Sequence, residues 1–364
     1  MKNTNFKNLN LQLFAAGDVV HSTEAFVNAN DPDNSSAYVS APGNEMGLSA
    51  EMKTFYDKTL IELASPALVF DQFAQKRPIP KNGGKTIEFR KFNALPKALT
   101  PITEGVTPQG SKLTVVPVTA TVDQYGDYVE LTDMIELTSV DPIVVEATKQ
   151  LADQAGRTID TVVRNQIIGG TNVNYCPAVD ENGNETEVDT RKGITAKCKL
   201  RVRDVFKAAA QLKAMNAPTI DGSYVAIIHP YVAFDLMQDA KGQWMDIQKY
   251  TDPKSVLRGE IGTLGGVRFV QSTEAKIYVG EEGGADGCAV FCTLFLGANA
   301  YGTTDIAGGG IEHIVKQKGY GNDPLNQRSS VGWKATKVAT RLVEEYMLRV
   351  ESGSSFSSSV LESN

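Results

Sequence analysis

The chain of 364 residues carries 36 Lys and Arg against 43 Asp and Glu, a formal net charge of −7, with 41% hydrophobic, 22% charged and 8% aromatic residues. That composition is that of an ordinary folding chain and excludes wholesale disorder, a collagen repeat and a disulfide scaffold. At roughly one domain per 150 residues the length allows two domains or one elaborate one, and the negative balance argues against a protein whose main task is gripping nucleic acid phosphates.

No stretch approaches the roughly 20 apolar residues of a membrane helix, so a soluble chain with no membrane partner is expected. The apolar patch Leu11, Leu13, Phe14, Ala15 and Ala16 is interrupted by Gln12 and too short for an export signal. Cys176, Cys198, Cys288 and Cys292 form no C-x-x-C pair and read as reduced thiols of a cytosolic chain.

Residues 1–50 are rich in Asn, Ser, Ala and Gly, with acids at Asp18, Glu24, Asp31, Asp33 and Glu45, and read as an arm outside any core. Over 51–75, Met52, Phe55, Tyr56, Leu60, Leu63, Ala67 and Phe70 step by three and four, which predicts a helical segment with a break at Pro66. From 76 to 130 the pattern changes. Thr86–Phe92 and Leu113–Val122 alternate apolar and polar around a wide stretch of Pro and Gly, predicting an extended two-stranded ribbon. Between Lys76 and Lys112 eight Lys and Arg face only Glu88 and Glu104, so charge is sorted along the chain.

Asp141-Pro142 reads as the N-cap and first turn of a helix whose apolar face, Val144, Ala147, Leu151, Ala155, Ile159, Val162 and Ile167, runs to Gly169-Gly170. About 27 residues at 1.5 Å each predict a spine of roughly 40 Å. A helix at Arg203–Met215, a buried strand at Tyr224–Ile228, a helix opened by His229-Pro230, and strands at Val267–Val270 and Ala289–Leu296 alternate as in an α/β lobe over 201–310. Strand-like stretches follow to 351, and the Ser-rich end 352–364 is expected to be disordered.

Chemistry-bearing motifs are scarce. Asn82-Gly83-Gly84-Lys85-Thr86 looks like the end of a phosphate loop, but Ile79 stands where the first Gly belongs and a strand, not a helix, follows. A P-loop phosphotransferase is therefore a remote alternative. His21, His229 and His313 are isolated, and His229 reads as a capping or core residue. Cys288 and Cys292 flank an apolar strand and read as buried, and Asp180–Glu185 places its Gly wrongly for a calcium loop. No catalytic, cofactor or metal residues are nominated.

Several ordered segments carry a resemblance: Gln75–Lys85; Thr103–Pro108; Gln124-Tyr125-Gly126-Asp127-Tyr128; Asp141-Pro142, Gln154-Ala155-Gly156 and Arg164-Asn165; His229-Pro230 with Asp235-Leu236; Gly259-Glu260-Ile261-Gly262 with Gly266; and Asp323–Arg328 with Val331-Gly332-Trp333-Lys334. Together, from about 50 to 351, they resemble the enquatrovirus-type (N-four-like) major capsid proteins of tailed phages. The resemblance implies an α+β, Hong Kong 97-type fold. Its parts would be an N-terminal arm (1–50), the helical segment (51–75) and an extended loop (76–130). A peripheral domain with the spine helix (131–200), an axial domain (201–310), closing strands of the peripheral domain (311–351) and the tail would follow.

It also implies a non-enzymatic subunit that assembles into the hexamers and pentamers of an icosahedral virion head, formed in the host cytoplasm. Its partners would be copies of itself, with portal, scaffold and decoration proteins and weakly held double-stranded DNA. Another phage structural protein or a capsid-fold nanocompartment shell is the alternative. The expected inter-subunit contacts set Lys81, Lys85, Arg90, Lys91 and Lys97 of the ribbon against Asp31, Asp33 and Glu45 of the arm. The insertion 178–192 and the Ser-rich end have no counterpart in the resemblance.

Overall fold

A computed structural model describes residues 68–92, 95, 97–99, 101, 104, 105, 107, 110–139, 142–180, 183–240, 244, 257, 259–306, 309–321 and 323–364. The acidic arm with Asp31, Asp33 and Glu45, most of the 51–75 segment, and Asp141 lie outside the described residues. In chain order the strands are β1 (Gln75–Lys76), β2 (Thr86–Phe92), β3 (Val115–Thr121), β4 (Asp123–Thr132), β5 (Val173–Tyr175), β6 (Ala178–Val179), β7 (Glu185–Thr186), β8 (Tyr224–Ile228), β9 (Glu260–Leu264), β10 (Val267–Gln271), β11 (Ile277–Tyr278), β12 (Val290–Leu296), β13 (Tyr301–Thr304), β14 (Glu312–Lys316), β15 (Arg328–Arg341) and β16 (Met347–Ser352). The helices are α1 (Asp133–Thr138), α2 (Ile143–Ile168), α3 (Val202–Ala214) and α4 (Pro230–Ala240). The chain divides into two compact units. The described residues of the smaller fall within 128–148 and 313–332, and those of the larger within 60–127, 149–312 and 333–364.

The larger unit is built on a sheet ordered β5-β16-β12-β8-β10-β9, with β11 added to β12. β8 pairs in parallel with β10 and antiparallel with β12. Every residue of β8 and β12 is buried, because a strand covered on both faces needs apolar side chains on both; this is why these two read as unbroken apolar runs. Val205, Ala208, Ala209 and Leu212 give α3 its buried stripe, and Val232, Ala233, Leu236 and Ala240 do the same for α4. Two arginines close the C-terminus of α2, Arg341 donating to the Gln166 carbonyl at 2.8 Å and Arg349 to that of Ile168.

Two expectations are corrected here. The closing strands of 311–351 do not stay together: Met347–Ser352 leaves them and pairs with Phe291–Leu296 in the sheet of the lobe. Alternation identifies a strand but not its partner. The Ser-rich end is not disordered but docked, because its serines find specific acceptors. Ser354 Oγ and Ser355 Oγ donate to the Asp235 carboxylate at 2.7 and 2.6 Å, the Ser355 N–H donates at 2.8 Å, and Lys199 binds the same group at 3.1 Å. Phe356 stacks on Tyr231 with centroids 4.6 Å apart, and Ser357 Oγ donates to the Ala289 carbonyl.

Burial alone would raise the Asp235 pKa, but the donors of Ser355 and Ser354, with Lys199, hold it below the ordinary value. Its contribution is therefore present above the unfolded aspartate pKa of about 3.9 and is lost as pH falls through the lower folded value. Asp235→Asn should free the end of the chain. Hydrogen exchange over 353–359 should rise at least tenfold at pH 7, about 1.4 kcal/mol, with β8 and β12 unchanged.

The insertion 178–192 contains the short β6–β7 hairpin, whose turn is held by the Asp180 carboxylate accepting the Asn184 N–H at 2.8 Å. At its end Arg191 makes a two-pronged pair with the fully buried Glu351, 2.7 Å on each prong, and its guanidinium lies 3.5 Å over the Tyr278 ring. Arg349 approaches Glu351 at 2.9 Å. The polar segment is thus pinned to β16.

In the smaller unit Thr132 caps α1, and the Asp133 N–H donates to the Gln327 carbonyl at 2.9 Å. Asp323 organises the loop before β15 by accepting the N–H groups of Gly319, Gln327 and Arg328. Glu136 binds Lys318 at 2.8 Å and accepts from Ser329 at 2.6 Å. These bonds hold its carboxyl below the ordinary range, the Lys318 bond being the largest cause.

Candidate assembly surfaces

β2 and β3 form a two-stranded ribbon, antiparallel from Thr86↔Thr121 to Phe92↔Val115, and no third strand joins it among the described residues. Before it, Asn82 and Gly84 take positive φ of 66° and 87° in a turn that leads into a strand. A phosphate at this turn would meet no helix N-terminus. The near end of the ribbon is seated. Phe89, Ala120 and Val122 are buried, and a Cβ on Gly302 would stand 2.9 Å from the Phe89 ring, so glycine there makes room for the anchor.

The far end is different. Leu95, Leu99, Leu113, Val115 and Val116 are all exposed, Leu99 by 82% and Leu113 by 61%. A two-stranded ribbon is marginal in water without a surface to lie on, and this one carries its apolar residues where the described residues supply none.

The backbone also distinguishes the two edges. The Val122 N–H donates to the Lys85 carbonyl at 2.8 Å, which sets the phase of the ladder: Ile87, Phe89 and Lys91 bond across to β3, while the backbone of Thr86, Glu88 and Arg90 points outward from β2. On the opposite edge Pro117, paired with Arg90, has no N–H to offer. Among the described residues the open edge is that of β2.

The nominated cations are not equivalent. Lys81, Lys85 and Lys97 are exposed. Arg90 pairs with Glu88 on its own strand at 3.1 Å, and Lys91 reaches Glu345 at 3.3 Å within the same unit. Both pairs are largely solvent-exposed and contribute about 0–1 kcal/mol each. Periodicity does not reveal the apolar tip, because isolated apolar residues among Pro and Gly have no period; their number in a loop is the available signal.

The motif segments converge elsewhere, as structure. Gln154 on α2 donates to the Asp127 carboxylate at 2.6 Å and accepts from the Trp333 indole at 3.2 Å, while a Cβ on Gly126 would meet the Trp333 carbonyl at 2.6 Å. Buried Arg164 binds Asn165, the Glu274 carbonyl at 2.6 Å and the Asn364 carbonyl at 3.2 Å. Glu260 makes a buried two-pronged pair with Arg268 at 2.8 and 2.6 Å.

His229 accepts the Tyr231 N–H at 3.2 Å through Nδ1 and packs on Phe291; desolvation lowers its pKa to about 4, so it is neutral at physiological pH. Cys292 is buried and Cys288 half-buried, and burial pushes the Cys292 thiol up to about 12. No group of His, Cys, Asp and Glu among the described residues has the geometry of a metal site, and no helix there is long and apolar enough to cross a membrane.

The comparisons with known proteins fit this picture of a chain whose distinctive residues build shape and surface. A family model described as phage capsid protein matches residues 115–348, well over half of the chain. The chain belongs to this phage capsid protein family. It is a phage capsid protein. No curated protein matches it by sequence.

Among solved structures it is similar to the capsid of Ralstonia phage GP4, with a TM-score of 0.62 at 12% identity over 78% of this chain and 87% of that one. It is likewise similar to the capsid of cyanophage P-SCSP1u, with a TM-score of 0.56 at 14% identity over 79% and 88% of the two chains. The capsid of cyanophage Pam1 gives 0.56 at 15% identity over 78% and 89%. At such identities the likeness is one of fold.

Proposed function

We propose that copies of this chain close into an icosahedral shell of hexamers and pentamers around double-stranded DNA, each laying its ribbon on a neighbouring copy. The observation that carries the reading is the exposed apolar tip of a ribbon that is seated only at its near end. Folding of the tip and association are then one event, and many modest contacts in a closed lattice make loss of a subunit improbable. The role is structural and not catalytic.

The architecture is read as the Hong Kong 97 type, with residues 76–130 as extended loop, α2 as spine, a peripheral domain at 131–200 and the lobe over 201–310 as axial domain. The ordered motifs support the enquatrovirus-type branch. Residues 8–52 contain Asp18, Glu24, Asp31, Asp33, Glu45 and Glu51 and no Lys or Arg. That segment of a second copy complements Lys81, Lys85 and Lys97, and the open edge of β2 is where an extended segment could add. Charge selects register here more than it adds affinity. Portal, scaffold and decoration proteins are the further partners, assembly takes place in the host cytoplasm, and a net negative wall holds DNA only weakly.

Electron microscopy of the expressed full chain tests this. Closed particles with both hexameric and pentameric capsomers are the expected result; a compact monomer at all concentrations would overturn it.

A further inference from the structure

We propose that Asp160 makes the seat of residues 69–71 on α2 a pH-sensitive latch, firm when its carboxyl is protonated and looser when it is ionised. Val69, Phe70 and Phe73 of the seat are buried. The inference stands on contacts within one chain and does not depend on shell assembly.

Asp160 is fully buried in the middle of α2. The Phe70 N–H donates to its Oδ1 at 2.7 Å, while Oδ2 receives no hydrogen bond among the described residues. The groups facing it from each packed element are of the wrong sign or already engaged. Asp71 comes from the turn itself and Glu274 from the segment after β10, both acidic. Lys76 of β1 and Lys337 of β15 are each bound to Asp71 at 2.7 Å.

Arg164, one turn along α2, spends its guanidinium on Asn165 and on the carbonyls of Glu274 and Asn364. Tyr301 of β13 is buried and donates to the Phe70 carbonyl. An ionised carboxylate in this place keeps the Phe70 and Val69 N–H groups, and Arg164 attracts it through space without a direct ion pair.

Burial is the largest influence on Asp160; Asp71 and Glu274 add to it against the Phe70 and Val69 N–H groups, and the pKa rises to about 7. The folded pKa exceeds the unfolded one of about 3.9, so the folded state holds more protons between the two values. Stability at the seat is therefore greatest at acid pH, falls as pH rises towards 7, and levels off above it. The hydrogen bond to Phe70 survives protonation, since the neutral carboxyl still accepts through its carbonyl oxygen.

Hydrogen exchange of the full-length chain, followed over 68–73 and corrected for intrinsic rates, reads the latch. Protection should fall at least tenfold between pH 5.5 and 8.5, while Asp160→Asn should stay within twofold of its acid value throughout. Glu274→Gln removes one facing negative charge, so the Asp160 carboxylate forms against less repulsion and the midpoint should move to lower pH. A flat wild-type profile, an Asp160→Asn profile that keeps the slope, or a Glu274→Gln midpoint that does not fall would each overturn the proposal. The last arm keeps the test decisive if Asp160→Asn fails to fold.

Discussion

Glu351→Ala should destabilise the subunit by about 3–5 kcal/mol, seen as a lower urea midpoint with little change in slope. Glu351 is fully buried between Arg191 and Arg349, with three N···O approaches of 2.7 to 2.9 Å. Removing the anion leaves two partly buried guanidiniums facing each other and releases the end of the 178–192 insertion from β16. The penalty is that of the uncompensated charges, more than the net contribution of the intact cluster. Glu351→Gln keeps the shape and some acceptor capacity and should lose less. A loss below about 1 kcal/mol for the alanine variant would mean that water reaches both arginines and that the cluster does not pin the insertion.

Placing Asp at Leu99, Leu113 and Val116 together should reduce closed particles at least tenfold while leaving subunit stability within about 0.5 kcal/mol of the parent. These side chains are exposed within a single chain, so a polar replacement removes nothing the subunit uses. In a shell each would be buried on a neighbour, and an unpaired carboxylate there opposes association. Sedimentation velocity separates shells from subunits, and thermal unfolding of the subunit fraction supplies the control. Normal particle yield would show that the tip is not covered on assembly. A comparable triple reversal at Lys81, Lys85 and Lys97 should have a smaller effect, largest at low salt, because exposed charges are screened.

The elements governed by local pattern are legible in the residues alone. The apolar period predicts α2 over 142–168 and the helix runs Ile143–Ile168, because its buried face holds one period until Gly169 and Gly170 end it. Alternation in two runs predicts the ribbon, and β2 pairs with β3 accordingly. β8 and β12 stand out as apolar runs because both faces are covered. Side chains that act through distant partners are not legible in this way. Asp235 shows nothing in its own neighbourhood of the serines 119 and 120 positions away, nor Asp160 of Phe70, 90 positions away.

By itself, then, the order of residues determined the periods, the glycine stop of α2, the sorting of charge and the membership of the phage capsid protein family. Only the tertiary structure decided that β16 joins the lobe, that the serine-rich end is bound instead of loose, and which ribbon cations already have partners. The reason is physical. Periodicity is set by backbone geometry over a few residues, whereas the pairing of a strand edge, a buried carboxylate or a hydroxyl depends on which distant groups the completed fold brings within about 3 Å.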